Sequence, residues 1–142
     1  MKALATILIS AIMGCTTAPN PVPIITQQQL DCLNKPTDYV KKSVASHKQT
    51  YYGMDQDITL FKTPEGRIIG YLLEQGECST VLLQVPEQQL QQASDFIAAE
   101  VKKNYGPMFF TNQEQKVSFK YYLDTTPLRE GKPAYLVAQA MN

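Results

Sequence analysis

A chain of 142 residues holds one domain and is too short for two comfortable cores. Its 44% apolar content, with no long charge run, excludes intrinsic disorder. Thirteen basic side chains against thirteen acidic ones leave no clustered positive field, so nucleic acid is not an expected partner.

Lys2 precedes an apolar stretch about ten residues long, the layout of an export signal and too short for the ~20 residues of a bilayer span. Gly14 then stands directly before Cys15. This segment resembles the bacterial lipoprotein signal, whose lipobox ends in a small residue and the cysteine that receives lipid. Ile12, Gly14 and Cys15 fit that box; Met13 departs from the small residue usual at its place. The resemblance covers only residues 1–15. It implies removal of a signal peptide, residues 1–14, and acylation of Cys15, with palmitate among the chains and the membrane as a partner. With Thr16 and not aspartate next, it also implies the outer membrane, the domain facing the periplasm. Several acyl chains hold a protein firmly where one binds only marginally.

Residues 15–26 form the lipidated tether, stiffened by Pro19, Pro21 and Pro23 on alternate positions. One globular domain is expected over residues 27–142. Leu30 and Leu33 suggest a short helix over 27–33, and Val40, Val44 and His47 a second over 37–48. Strands are expected over 57–63, 67–74 and 80–85, joined by the turns Pro64-Glu65-Gly66 and Gln75-Gly76-Glu77. The middle strand is apolar on both faces, as in a central strand covered on each side.

Pro86 opens a long helix over 87–104, with Leu90, Ala93, Ile97 and Val101 on one stripe widened by Phe96. Gly106 and Pro107 supply its stop. Residues 116–123 alternate cleanly, Val117, Phe119, Tyr121 and Leu123 inward, and 134–140 return as the last antiparallel strand. The expected fold class is α+β. An antiparallel sheet of about five strands, a meander plus a hairpin, packs with one long helix and N-terminal helical segments.

With Cys15 acylated, Cys32 and Cys78 remain. In an oxidising periplasm an even pair most simply forms a disulfide, worth roughly 4 kcal/mol for a loop of this length. The alternatives are two buried thiols or a metal site. Neither cysteine lies in a Cys-x-x-Cys pair and there is one histidine, so no metal or other cofactor is expected.

That histidine, His47, is read as a surface or half-packed side chain, and no Gly-x-Ser-x-Gly motif accompanies it. Asp55-Gln56-Asp57 fails as a calcium loop, since Leu60 and Gly66 hold the places of its glycine and glutamate. The adjacent aromatic pairs carry more. Tyr51-Tyr52, Tyr121-Tyr122 and Phe109-Phe110, the last preceded by Met108, each turn one ring outward if they lie on strands. Met108, Phe109, Phe110, Tyr51, Tyr52 and Tyr122 are therefore the candidate partner contacts, Met108-Phe109-Phe110 foremost because it follows a helix stop in an expected loop. The functional expectation is a non-enzymatic, lipid-anchored periplasmic binding or accessory protein with a partner in the cell envelope. The alternative is an inhibitor or immunity-type protein against a periplasmic hydrolase or toxin.

Overall fold

The computed structural model describes residues 23–110 and 117–141, without the side chain of Phe110. Cys15, the signal segment and most of the tether lie outside the described residues. The chain runs α1 (Gln27–Leu30), α2 (Thr37–Ser46), then β1 (Thr50–Asp55), β2 (Ile58–Lys62), β3 (Ile68–Glu74) and β4 (Glu77–Val85). A 3-10 turn (Glu87–Gln89) leads into α3 (Leu90–Lys103), followed by β5 (Met108–Phe110) and β6 (Ser118–Asp124). A second 3-10 turn (Thr126–Glu130) precedes β7 (Ala134–Ala140). One seven-stranded antiparallel sheet results, ordered β1-β2-β3-β4-β7-β6-β5.

The fold is mixed α+β with an antiparallel sheet, and the sheet has seven strands where five were expected. The two additional strands are its edges. β1 carries no alternation, because Tyr52 is an extra residue: Tyr51 stands opposite Phe61 and Gly53 opposite Leu60. Such a bulge breaks the period of two on which strand recognition rests. β5 is three residues long and exists through its pairing with β6, so no local pattern announces it.

Helix ends follow local chemistry. Thr26 and Gln29 form a reciprocal capping box that starts α1. At the end of α3 the Gly106 N–H donates to the Val101 carbonyl (2.9 Å) and the Tyr105 N–H to that of Lys102 (3.3 Å). This is a Schellman closure whose left-handed residue is Tyr105 (φ 61°), one position before the expected glycine. α2 closes in the same way through Lys48 (φ 57°). The β3–β4 turn places Gln75 and Gly76 both at positive φ, the two-residue geometry that matches strand twist.

The helices cover one face of the sheet. Val40, Val44, Ala93, Phe96 and Ile97 pack with Ile69, Tyr71, Val81, Leu83, Leu136 and Tyr121. The stripe expected on α3 faces this core. The opposite face carries a smaller cluster of Leu60, Leu82, Tyr135 and Val137, flanked by Ile58 and Ile68.

Among the described residues no helix packs on this second cluster; the sheet curls over it. Tyr135 on β7 donates from its hydroxyl to Asp55 Oδ2 (3.1 Å) at the end of β1, four strand positions away. In a flat sheet that separation would be about 19 Å, beyond the reach of one tyrosine. Gly70 sits where the curl tightens: a Cβ there would lie 2.6 Å from Ile58 Cγ2 and 3.1 Å from Leu60 Cδ2. Glycine is required at this position for space.

Candidate functional site

Among the described residues β1 is an edge strand, and four of its side chains stand in solvent: Thr50, Tyr51 (65% exposed), Tyr52 (57%) and Met54 (55%). Tyr51 is nevertheless fixed, its ring edge-on to Phe61 (6.2 Å), which is in turn edge-on to buried Tyr71 (5.9 Å). Edge strands are commonly guarded by lysine, proline or a charge. β1 has no lysine or proline, and its one charge, Asp55, is engaged with Tyr135 and Lys132 (3.5 Å). What remains is an edge without a free charge, bearing aromatic side chains, with no strand beyond it among the described residues.

The other expected contacts divide. Met108 (41% exposed) and Tyr122 (36%) reach the surface, and Tyr122 donates to Gln139 Oε1 (3.2 Å). Phe109 does not: it is 8% exposed, with its ring 5.7 Å from both Phe119 and Tyr121. The expectation of a contact loop at Met108-Phe109-Phe110 is therefore corrected. The segment pairs with β6 as a strand, and the alternation of a strand turns its middle residue into the core. The side chain of Phe110 lies outside the described residues.

Cys32 and Cys78 are free thiols in the structure, both wholly buried, where a disulfide was expected. Cys32 Sγ lies 3.8 Å from the Gln28 carbonyl and Cys78 Sγ 3.5 Å from that of Thr80. The chain after Cys32 is laced to β4 beside Cys78. Asn34 N–H donates to the Cys78 carbonyl (2.7 Å), and Cys78 N–H donates to that of Lys35 (2.9 Å). Burial first, and the neighbouring Cys32 next, push the Cys78 thiol up to about 12. Burial raises Cys32 as well, a Ser43 hydrogen bond opposing it. Thiols so held are poor nucleophiles.

His47 closes α2 half-buried. Ser43 and Ser46 hydroxyls each stand 3.4 Å from its Nδ1, a spacing that invites a nucleophile–base reading. The Ser43 carbonyl, 2.7 Å from the same nitrogen, removes it. A carbonyl can only accept, so Nδ1 carries the proton and cannot take one from either serine. Among the described residues no three potential metal-ligating acids, cysteines or histidines cluster. No helix there is long and apolar enough to cross a membrane.

A cleft of about 380 Å³ opens beside His47, where residues 24–29, the end of α2 and the β2–β3 turn meet. Gln29, Gln49, Thr63 and Arg67 line it. None of these was singled out from the sequence, because they come from three separate segments and form no motif. The capping-box spacing Thr26-x-x-Gln29 was the one local signal present. Comparison of the chain with protein-family models, with curated proteins and with solved structures finds no match.

Proposed function

We propose that this chain is a non-enzymatic accessory protein of the bacterial outer membrane. In this reading Cys15 carries lipid, and the domain faces the periplasm and binds an envelope protein along β1. The observation that carries the binding role is that edge: uncharged along its outer side, bearing Tyr51, Tyr52 and Met54, and held rigid through the Phe61–Tyr71 stack. The occupant that fits is an extended segment of the partner, added as an eighth strand, with apolar side chains against Tyr51 and Met54. The anchor rests on Gly14-Cys15 and the apolar segment before it. Periplasmic exposure makes a Cys32–Cys78 disulfide part of the same proposal, since the two thiols are neighbours on α1's exit and β4.

A photo-cross-linkable residue at Tyr52 should capture one envelope protein in intact cells, and one at Lys42, on the exposed side of α2, should not. Adding Met54→Pro, which removes a backbone donor from the strand, should abolish the adduct at position 52. Equal capture at both sites, or an adduct that survives Met54→Pro, refutes the edge as the binding surface. Cys15→Ser should move the protein from the membrane to the soluble periplasmic fraction; unchanged membrane association refutes the anchor.

One observation favours the inhibitor reading instead. Tyr105 is 98% exposed at the α3–β5 corner and held at φ 61°, a backbone state unfavourable for a non-glycine residue. A fixed aromatic tip of this kind suits insertion into an enzyme cleft. Loss of partner capture on Tyr105→Gly, with Tyr52 intact, would select that reading.

A further inference from the structure

The cleft beside His47 has a donor set that the fold leaves unanswered. Gln29 is only 7% exposed. Its Oε1 accepts from the Thr26 N–H (2.8 Å), and because a backbone N–H can only donate, the orientation of that amide is fixed. The Nε2 group is therefore the end left over, with no acceptor bonded to it among the described residues. Thr63 is 8% exposed, and its Oγ1 accepts from the Arg67 N–H (3.0 Å), leaving the hydroxyl proton to donate. Gln49 accepts from the Tyr71 hydroxyl through Oε1 (3.2 Å), which leaves its Nε2 as well. Buried donors without acceptors are uncommon, because each forfeits roughly 1–3 kcal/mol of hydration.

A cation that keeps a partner within the fold stands beside these donors. Arg67 lines the same cleft, and burial holds its guanidinium below its ordinary value, with Glu65 acting in the opposite sense. Glu65 is the one acid among the described lining residues and is exposed at the rim. Ile24, Pro64 and Leu83 supply the apolar wall. The volume, about 380 Å³, lies within the range of small-molecule sites.

We propose that this cleft binds a small organic carboxylate, its oxygens taken by Gln29, Thr63 and Gln49, its charge facing Arg67 and its short apolar part laid against Ile24, Pro64 and Leu83. A carboxylate has about four lone-pair sites and no proton to place, so it can accept from Gln29, Gln49 and Thr63 at once while its charge faces Arg67. A neutral amide has one acceptor oxygen and brings an N–H₂ of its own, which would face further donors. The proposal is independent of the edge-strand reading; one can fail while the other stands.

The test is a titration of the purified full chain with sodium butyrate, observed through the side-chain amide NMR signals of Gln29 and Gln49. Butyramide and sodium chloride serve as controls. Butyrate should move both signals saturably, with one dissociation constant in the millimolar range expected of so small a probe. Butyramide should bind at least tenfold more weakly and chloride should leave the signals in place. Gln29→Glu keeps an oxygen for the Thr26 N–H, and so the cap, but sets a carboxylate where the donor was. It should retain the thermal midpoint of the wild type and lose butyrate binding at least tenfold, as should Arg67→Gln. The absence of saturable shifts at Gln29 and Gln49 overturns the site. Equal binding of butyramide overturns the carboxylate, and undiminished binding by a folded Gln29→Glu variant overturns the assignment of Gln29. If Gln29→Glu fails to fold, Arg67→Gln, at a half-buried turn residue, decides in its place.

Discussion

The two faces of the sheet are closed by different means. The helix-covered face is sealed by side chains that repeat along elements: Ile69 and Tyr71 on β3, Val81, Leu83 and Val85 on β4, and Ala93 and Ile97 on α3. The curled face is sealed by the sheet itself, through the glycine gap at Gly70 and a tyrosine–carboxylate contact between residues 55 and 135. A face covered by helices can be deep and dry. One closed by curvature stays shallow, with polar groups at its rim. Adjacent residues of β4 show the contrast, since Leu83 faces the helices and Leu82 the curl.

The largest difference should appear in alkali. Cys32, Cys78, Tyr71 and Tyr121 all lie in the helix-side core, and burial raises each of them, Cys78 and Tyr121 to about 12. These acids stay neutral in the folded protein while the unfolded chain ionises above their ordinary values. Stability is therefore full below about pH 8.5 and falls as pH rises toward 12. Cys78 alone accounts for a loss on the order of 4 kcal/mol across that window. Urea denaturation of the reduced protein from pH 7 to 11 should show a falling midpoint. Oxidation of Cys32 and Cys78 to a disulfide should remove their share and flatten the curve. A midpoint independent of pH in reduced protein would mean that these groups are not buried.

Next in size comes the leucine pair. Leu83→Ala should cost about 4 kcal/mol and Leu82→Ala about 2, because the shallow side can relax or admit water where the deep side keeps a cavity. Equal losses by chemical denaturation would show that the curled face is packed as tightly as the other.

The same contrast sets what the sequence disclosed. Period-two and period-3.6 patterns find elements that bury one face against another element, so β2, β3, β4, β6, β7 and α3 were legible. So was the two-sided burial of β3. Edges bury little and repeat nothing: the bulge at Tyr52 hid β1, and β5 is defined by its partner β6. The curl depends on Asp55 meeting Tyr135 across eighty residues, and the cleft on Gln29, Gln49 and the Thr63–Arg67 turn arriving from three separate segments. Such convergence is a property of the fold, and no window of the sequence contains it. Tyr51 and Tyr52, singled out as adjacent aromatics, are both exposed, two outward rings where the alternation of a strand gives one, because the bulge at Tyr52 breaks that alternation. Phe109 was misplaced because its segment was taken for a loop, where alternation does not apply.

The smallest expected effect tests how the curl is held. Tyr135→Phe removes the hydroxyl that reaches Asp55 and keeps the buried ring, and it should cost about 1 kcal/mol, as for a partly buried bond to a carboxylate. Lys132 also meets Asp55 (3.5 Å), but its side chain is 45% exposed, so Lys132→Ala should change stability by no more than about 0.5 kcal/mol. A double-mutant cycle of Tyr135→Phe with Asp55→Ala should show coupling, since both remove the same contact, whereas Lys132→Ala, at an exposed ion pair, should couple only weakly to Tyr135→Phe through the shared Asp55. If Lys132→Ala proved the costlier change, an ion pair at the rim, and not the buried tyrosine, would be what holds β1 over β7.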